Sequence, residues 1–149
     1  MEKNTYFNLI KEKIDINYYY NLGLSPECGA VSMFSGITRN YFENKKVEKL
    51  SYSAYSDMVY SEFKKIEEYV RSKWCVSKII FIHRLGEVEI SECSILIVIS
   101  SNHRIDSLAA VEYSINKLKE YVPIWKKEIY TNNDSKWKEN KEFLINNSQ

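Results

Sequence analysis

Five side chains suited to a negatively charged reactant stand out by type and place: Arg39, His103, Arg104, Lys119 and Lys126. Each falls where a regular segment is expected to begin or end, which is where folds tend to build sites. His103 and Arg104 open an apolar-periodic run, so free backbone N–H groups, the positive end of a helix dipole and a guanidinium would converge there on an anion. A plain ion pair of Arg104 with Asp106 would explain the same residues, and the pattern alone leaves both open. A second signal is the stretch Lys119, Glu120, Tyr121, Val122, Pro123, Ile124, Trp125, Lys126, Lys127, Glu128. Pro123 fixes the turn between two elements, and Ile124 and Trp125 anchor it. A lysine held among other cations has its ammonium disfavoured, which makes an acid, base or nucleophile usable near neutral pH. Residues 117–141 hold seven lysines against four acids, although a charge run by itself is usually a solvated face.

Other chemistries find less support. His83-Arg84-Leu85-Gly86-Glu87 follows a run of Ile and Phe and reads as a strand end and turn, with His83 structural. There is no Ser/His/Asp order, Gly-rich phosphate loop or metal-ligand cluster, and two histidines are too few for a histidine-built metal site. Cys28, Cys75 and Cys93 are an odd count at wide spacing without CxxC pairs, expected to be reduced, with Cys93 in a core strand. With 21 basic against 20 acidic side chains the net charge is +1, which argues against bulk electrostatic binding of nucleic acid. The twelve tyrosines follow no RNA-binding pattern and read as packing. No apolar run nears the roughly 20 residues of a membrane span, and residues 1–8 carry no secretory-type apolar stretch, so the expected location is the cytoplasm.

These residues must be positioned by elements, and 149 residues with 44% hydrophobic and 28% charged side chains suit one domain over residues 1–149, least defined at 1–28 and 138–149. Val59, Phe63, Ile66, Val70 and Trp74 recur at steps of four, three, four and four, one face of a helix opening near Ser56. Leu108, Val111, Ile115, Leu118 and Val122 do the same for a second helix that begins near Arg104 and is ended by Pro123. Residues 76–85 and 94–101, rich in Ile and Val, are expected to be neighbouring strands. Residues 30–34 read as a buried strand, residues 39–46 as a mobile loop, and residues 47–55 as that strand's partner. Residues 5–13 fit a strand or a helix, Asp15 is placed to cap a short helix over residues 16–22, and residues 124–130 are the final strand before a polar tail. Strands and helices do not alternate strictly, so the fold class is α+β, a mostly antiparallel sheet with two main helices packed on it.

Read together, Gly29-Ala30-Val31, Phe34-Ser35-Gly36-Ile37-Thr38-Arg39-Asn40, His83-Arg84-Leu85-Gly86-Glu87, Ser100-Ser101-Asn102-His103-Arg104, and Lys119 with Pro123-Ile124-Trp125-Lys126-Lys127-Glu128 resemble the large, catalytic subunit of molybdopterin synthase in order and spacing. The resemblance covers residues 29–137. Where that family often has Ala before the His-Arg pair this chain has Asn102, and where it often has Arg before the late Trp this chain has Lys136, which keeps charge but loses a bidentate fork. The resemblance implies a hammerhead-like α/β fold and a sulfurtransferase. Sulfur would pass from the C-terminal Gly-Gly thiocarboxylate of a small ubiquitin-like subunit to cyclic pyranopterin monophosphate, forming the molybdopterin dithiolene in molybdenum cofactor biosynthesis, with no cofactor of its own.

The resemblance places the pocket at Ile37, Thr38, Arg39, His103, Arg104, Lys119, Lys126, Lys127 and Glu128. Lys119 and Lys126 are the catalytic pair: Lys119 would move protons or stabilise the oxyanion, and Lys126 would hold the tail carboxylate. Arg39, His103 and Arg104 would bind phosphate or thiocarboxylate, and Glu128 would orient a neighbouring lysine. A homodimer within a heterotetramer is implied, and helix geometry points the same way. Arg104 and Lys119 are fifteen residues apart on one helix, about 22 Å at 1.5 Å per residue, so both reach one small substrate only if they come from two copies. The rival reading is a non-catalytic adaptor that binds a ubiquitin-like tail.

Overall fold

The Ile- and Val-rich stretches become central strands because they are covered on both faces. The computed structural model describes residues 1–131 and the backbone of Ser135–Glu139. In chain order the elements are β1 (Asn4–Ile10), α1 (Ile16–Leu22), β2 (Ala30–Ile37), β3 (Tyr41–Phe42), β4 (Lys45–Ala54), α2 (Ser56–Lys73), β5 (Val76–Arg84), β6 (Gly86–Glu89), β7 (Cys93–Ser101), α3 (Arg104–Tyr121), β8 (Ile124–Tyr130) and β9 (Ser135–Glu139). One sheet has the order β1-β5-β7-β2, with β1 parallel to β5 and the other pairs antiparallel. Ile79, Phe81, Ile97 and Ile99 face α2 and α3 on one side. Ile80, Ile82, Leu96 and Val98 face Ile14, Tyr19 and Leu22 on the other. Alternate residues of β5 and β7 therefore belong to two different cores, which is why these strands show no polar alternation.

The second sheet runs β3-β4-β8-β9, with β6 on β4. The chain passes from the first sheet to the second at Gly86, whose φ of +84° is a left-handed conformation that residues with a Cβ seldom adopt. A Cβ there would meet nothing, so conformation and not space calls for glycine.

Several expectations hold. Asp15 caps α1, its carboxylate accepting from the N–H of Tyr18 at 3.1 Å. Val59, Phe63, Ile66 and Val70 are buried along α2, and β5 and β7 are neighbours. The α+β class is what the molecule adopts, with the two main helices and the expected short helix α1. Residues 5–13, open between strand and helix in the sequence, take the strand alternative over β1, which ends at Ile10. Other expectations are corrected. Residues 39–46 are not a plain loop: Glu43 and Asn44, both at positive φ, turn β3 back onto β4 in a tight hairpin. That reversal sends β4 to the second sheet, so residues 47–55 pair with β6 and β8, while β2 pairs with β7. Residues 124–130 are not the last strand, since β9 follows and pairs with β8. The part of the polar tail at residues 132–134 and 140–149 lies outside the described residues.

The α3 face follows the apolar periodicity at Val111, Ile115, Leu118 and Val122 but departs from it at Leu108. Leu108 is 57% exposed and Ile105 is 74% exposed, whereas Ser107, Ala110 and Ser114 are buried. Small side chains let the helix lie close on β2 and β7, and the Ser107 hydroxyl is satisfied 2.8 Å from that of Ser32. Apolarity alone placed Leu108 inward and passed over the buried Ser107 and Ser114.

Candidate active site

Between the two sheets, under the last turn of α3, lies a cavity of about 210 Å³. The end of β2 supplies Phe34, Gly36 and Ile37, and the chain just after it supplies Arg39. The last turn of α3 supplies Lys119, and β8 supplies Ile124, Lys126 and Glu128. His83 from the end of β5, Tyr52 from β4 and Ser94 from β7 complete its polar lining. Three cations from three separate elements thus share one space with a single carboxylate, that of Glu128.

Local structure holds Lys126 and Glu128 in place. Side chains alternate along β8, so Lys126 and Glu128, two residues apart, line the cavity, and Lys127 projects from the opposite face of the strand. The Lys126 ammonium lies 5.6 Å from the centre of the Phe42 ring, a cation–π contact that steadies a long side chain. Glu128, only 1% exposed, accepts a short hydrogen bond from the Tyr130 hydroxyl. That bond, helped by burial, pushes the Tyr130 phenol up to about 12, so it remains a donor to the carboxylate. Lys136 stands opposite Glu128 in the register of β8 and β9. Ile37 is 56% exposed at the rim, where a register shift between Gly36 and Ile37 bends β2. Thr38 is buried and does not line the cavity; its backbone bonds to Ser91 and Glu92, and its hydroxyl has no partner among the described residues.

His103 and Arg104 sit at the far end of α3 from Lys119, exposed and away from the cavity. The hydroxyl of Ser101 accepts from the N–H of Ser107 at 3.1 Å, a capping task the His103 side chain does not perform. Arg104 forms no ion pair with Asp106. Of the nine expected pocket residues, five gather around one cavity: Ile37, Arg39, Lys119, Lys126 and Glu128.

Two further lining residues stand outside the expected pocket: His83, which its sequence context marks as structural, and Tyr52. His83 is 6% exposed, and its ring meets that of Tyr52 edge-on at 4.9 Å between centres. Its Nδ1 lies 2.8 Å from the carbonyl oxygen of Arg84. Burial above all, with the charge of Lys119 adding to it against the pull of that carbonyl, pushes the imidazole down to about 4. The Tyr52 phenol is pushed up chiefly by burial, with the Ser94 hydroxyl acting the other way. Both residues lie on strands without clean polar alternation, so nothing local shows that their side chains turn to the cavity.

An α+β scaffold that brings cations from a helix end, a strand end and a strand face to one cavity is an enzyme subunit built to handle anionic reactants. Residues 9–121 match the family described as MoaE protein. The chain belongs to the MoaE family. It is 52% identical over 145 residues to the molybdopterin synthase catalytic subunit of Taeniopygia guttata, covering 97% of this chain and 93% of that one. The crystal structure of molybdopterin synthase from Staphylococcus aureus superposes with a TM-score of 0.83 at 37% identity, covering 89% of this chain and 96% of that one. A complex of subunits 1 and 2 of the molybdopterin-converting factor from Helicobacter pylori gives 0.73 at 26% identity, covering 91% and 90%. Among the described residues no helix is long and apolar enough to cross a membrane.

Proposed function

We propose that this chain, acting as one unit over residues 1–149, is the catalytic subunit of a cytoplasmic molybdopterin synthase. It transfers sulfur from the C-terminal thiocarboxylate of a small ubiquitin-like subunit to cyclic pyranopterin monophosphate, forming the dithiolene. The observation that carries this reading is the convergence of Arg39, Lys119 and Lys126 on one cavity. Both reactants are anionic, one a thiocarboxylate and the other a cyclic phosphate, and fixed cations in a partly dry cleft attract them more strongly than mobile ones in water. The related complex of two converting-factor subunits supports a small-subunit partner.

Lys119, at the cavity mouth, stabilises the oxyanion formed when the tail carbonyl is attacked, and transfers protons there. Lys126 holds the tail carboxylate, and Glu128 orients the neighbouring ammonium. Arg39 binds phosphate. Ile37 forms the apolar rim, and Thr38 and Lys127 act by fixing the backbone on which Arg39, Lys126 and Glu128 stand. His103 and Arg104 reach the substrate of the other copy in a homodimer, because about 22 Å of helix separates them from Lys119 of their own chain.

Replacing Lys119 with Ala tests this reading against the adaptor alternative. Sulfur transfer falls by about a hundredfold or more, while affinity for the small subunit, measured by calorimetry, changes little. Unchanged turnover would refute the assignment.

A further inference from the structure

Of the three cavity cations, Lys119 stands on a helix and Lys126 on a strand, whereas Arg39 stands on the chain just after β2. Among the described residues no hydrogen bond or ion pair holds the Arg39 side chain, so its place in the cavity wall depends on the backbone beneath it. That backbone is pinned on both sides. Asn40 O accepts from the N–H of Val47 in β4 at 2.8 Å. On the other side, Thr38 donates its N–H to Glu92 O at 3.2 Å, and its carbonyl accepts from the N–H of Ser91 at 2.9 Å. The buried Thr38 hydroxyl adds no bond of its own among the described residues, so these two main-chain bonds hold Thr38.

Both partners of Thr38 belong to one tight turn, residues 89–92, closed by the Glu92 N–H donating to Glu89 O at 3.1 Å. Ser91 sits in it at a φ of +65°, a left-handed conformation that disfavours any residue with a Cβ, so the turn needs support from outside its own backbone. The Glu92 carboxylate supplies it. Its Oε1 accepts from the Glu89 N–H at 3.1 Å, closing the turn a second time. The Lys13 ammonium lies 3.0 Å from Oε2. The largely buried guanidinium of Arg84 lies 3.6 Å from Oε1, an ion-pair distance rather than a hydrogen bond. Arg84 ends β5 and Lys13 follows β1, so the carboxylate ties the turn to the first sheet.

We propose that Glu92 is a positioning residue for Arg39: its carboxylate braces the turn at residues 89–92, which grips Thr38 through both main-chain bonds and so sets where Arg39 enters the cavity. The role rests on the catalytic reading only for its kinetic consequence, since the grip itself is a property of the protein alone.

Hydrogen exchange of the full chain tests the grip, and turnover tests its purpose. In Glu92→Ala the amides of Thr38 and Ser91 are expected to exchange about tenfold faster or more, with those of Ile97 and Ile99 in β7 unchanged. In turnover with the thiocarboxylated small subunit, Glu92→Ala should raise KM for cyclic pyranopterin monophosphate about tenfold with kcat much less affected, because Arg39 binds phosphate. In an Arg39→Ala background the same change should add nothing further, since residues that act through one another do not contribute additively.

The proposal is overturned if the Thr38 and Ser91 amides exchange no faster relative to those of β7, if kcat falls while KM holds, or if Glu92→Ala costs as much without Arg39 as with it. Should Glu92→Ala fail to fold, Glu92→Gln takes its place. It keeps an acceptor for the Glu89 N–H but loses the charge that attracts Lys13 and Arg84, and a KM equal to that of the wild type then overturns the proposal. Should the wild-type protein form no dithiolene, the catalytic reading falls while the exchange result still judges the grip.

Discussion

Lys126 and Lys127 are neighbours in sequence, yet one lies over the Phe42 ring at the cavity and the other projects from the reverse of β8. At this scale the cations were legible because they stand at element ends, where type and position together suggest a site. Which of two adjacent lysines turns inward depends on strand register, which a run of mixed charges does not reveal. His83 stood out in its motif, but its turn toward the cavity was hidden for a different reason. A strand buried on both faces gives no periodicity that separates a cavity-lining imidazole from a packed one.

The environment of His83 has a measurable consequence for stability. In the unfolded chain a histidine takes up a proton near pH 6.5, whereas the folded ring resists until about 4. The stability tied to its neutral state is therefore fully present above pH 6.5 and is lost as pH falls from there toward 4. Urea midpoints should show roughly 2 kcal/mol less stability at pH 5.0 than at pH 7.5 from this group. His83→Gln should remove most of that difference; an equal decline in both proteins would count against the assignment.

Among the elements, α2 is attached to the first sheet through Arg71 as well as through its apolar face. Its guanidinium donates to Glu67 at 2.7 Å, to Asn4 O at 2.9 Å, to the Thr5 hydroxyl at 2.8 Å and to Ser77 O at 3.1 Å. Burial pushes the Glu67 carboxyl up, but hydrogen bonds from Lys64, Arg71 and Thr5 outweigh it and hold the group below its ordinary range. Arg71→Met deprives that carboxylate, 4% exposed, of one of its hydrogen-bond partners and removes the tie to β1 and β5. Chemical denaturation should report a loss of about 2–4 kcal/mol, with turnover per folded molecule unaltered. A change under 1 kcal/mol would mean the network contributes little. The helix itself was readable from its 3.6-residue period. The pairing of β4 was not, because it depends on a hairpin set by two positive-φ residues, Glu43 and Asn44, neither of them glycine.

For the whole molecule, the length of α3 is the governing quantity. If Arg104 of one copy completes the site that Lys119 of another copy begins, two inactive chains can repair each other. Arg104→Ala and Lys119→Ala proteins, each nearly inactive alone, should recover roughly a quarter of the wild-type rate after mixing and subunit exchange, because half of the dimers then carry one intact site. No recovery, with exchange confirmed by mass spectrometry, would place each site within a single chain. The resemblance implied such an assembly before any coordinates. Composition alone could not, since the exposed Leu108 looks like a core residue in the apolar pattern.

The central claim is that cations gathered from α3, β8 and the end of β2 make this chain the sulfur-inserting partner of a thiocarboxylated carrier. Mixing the purified chain with the thiocarboxylated small subunit and cyclic pyranopterin monophosphate tests it most directly, with dithiolene product followed by mass spectrometry. Two sulfurs gained per pterin, at a rate that falls sharply with Lys119→Ala, is the predicted result. A stable complex of the two proteins that leaves the pterin without sulfur would contradict it.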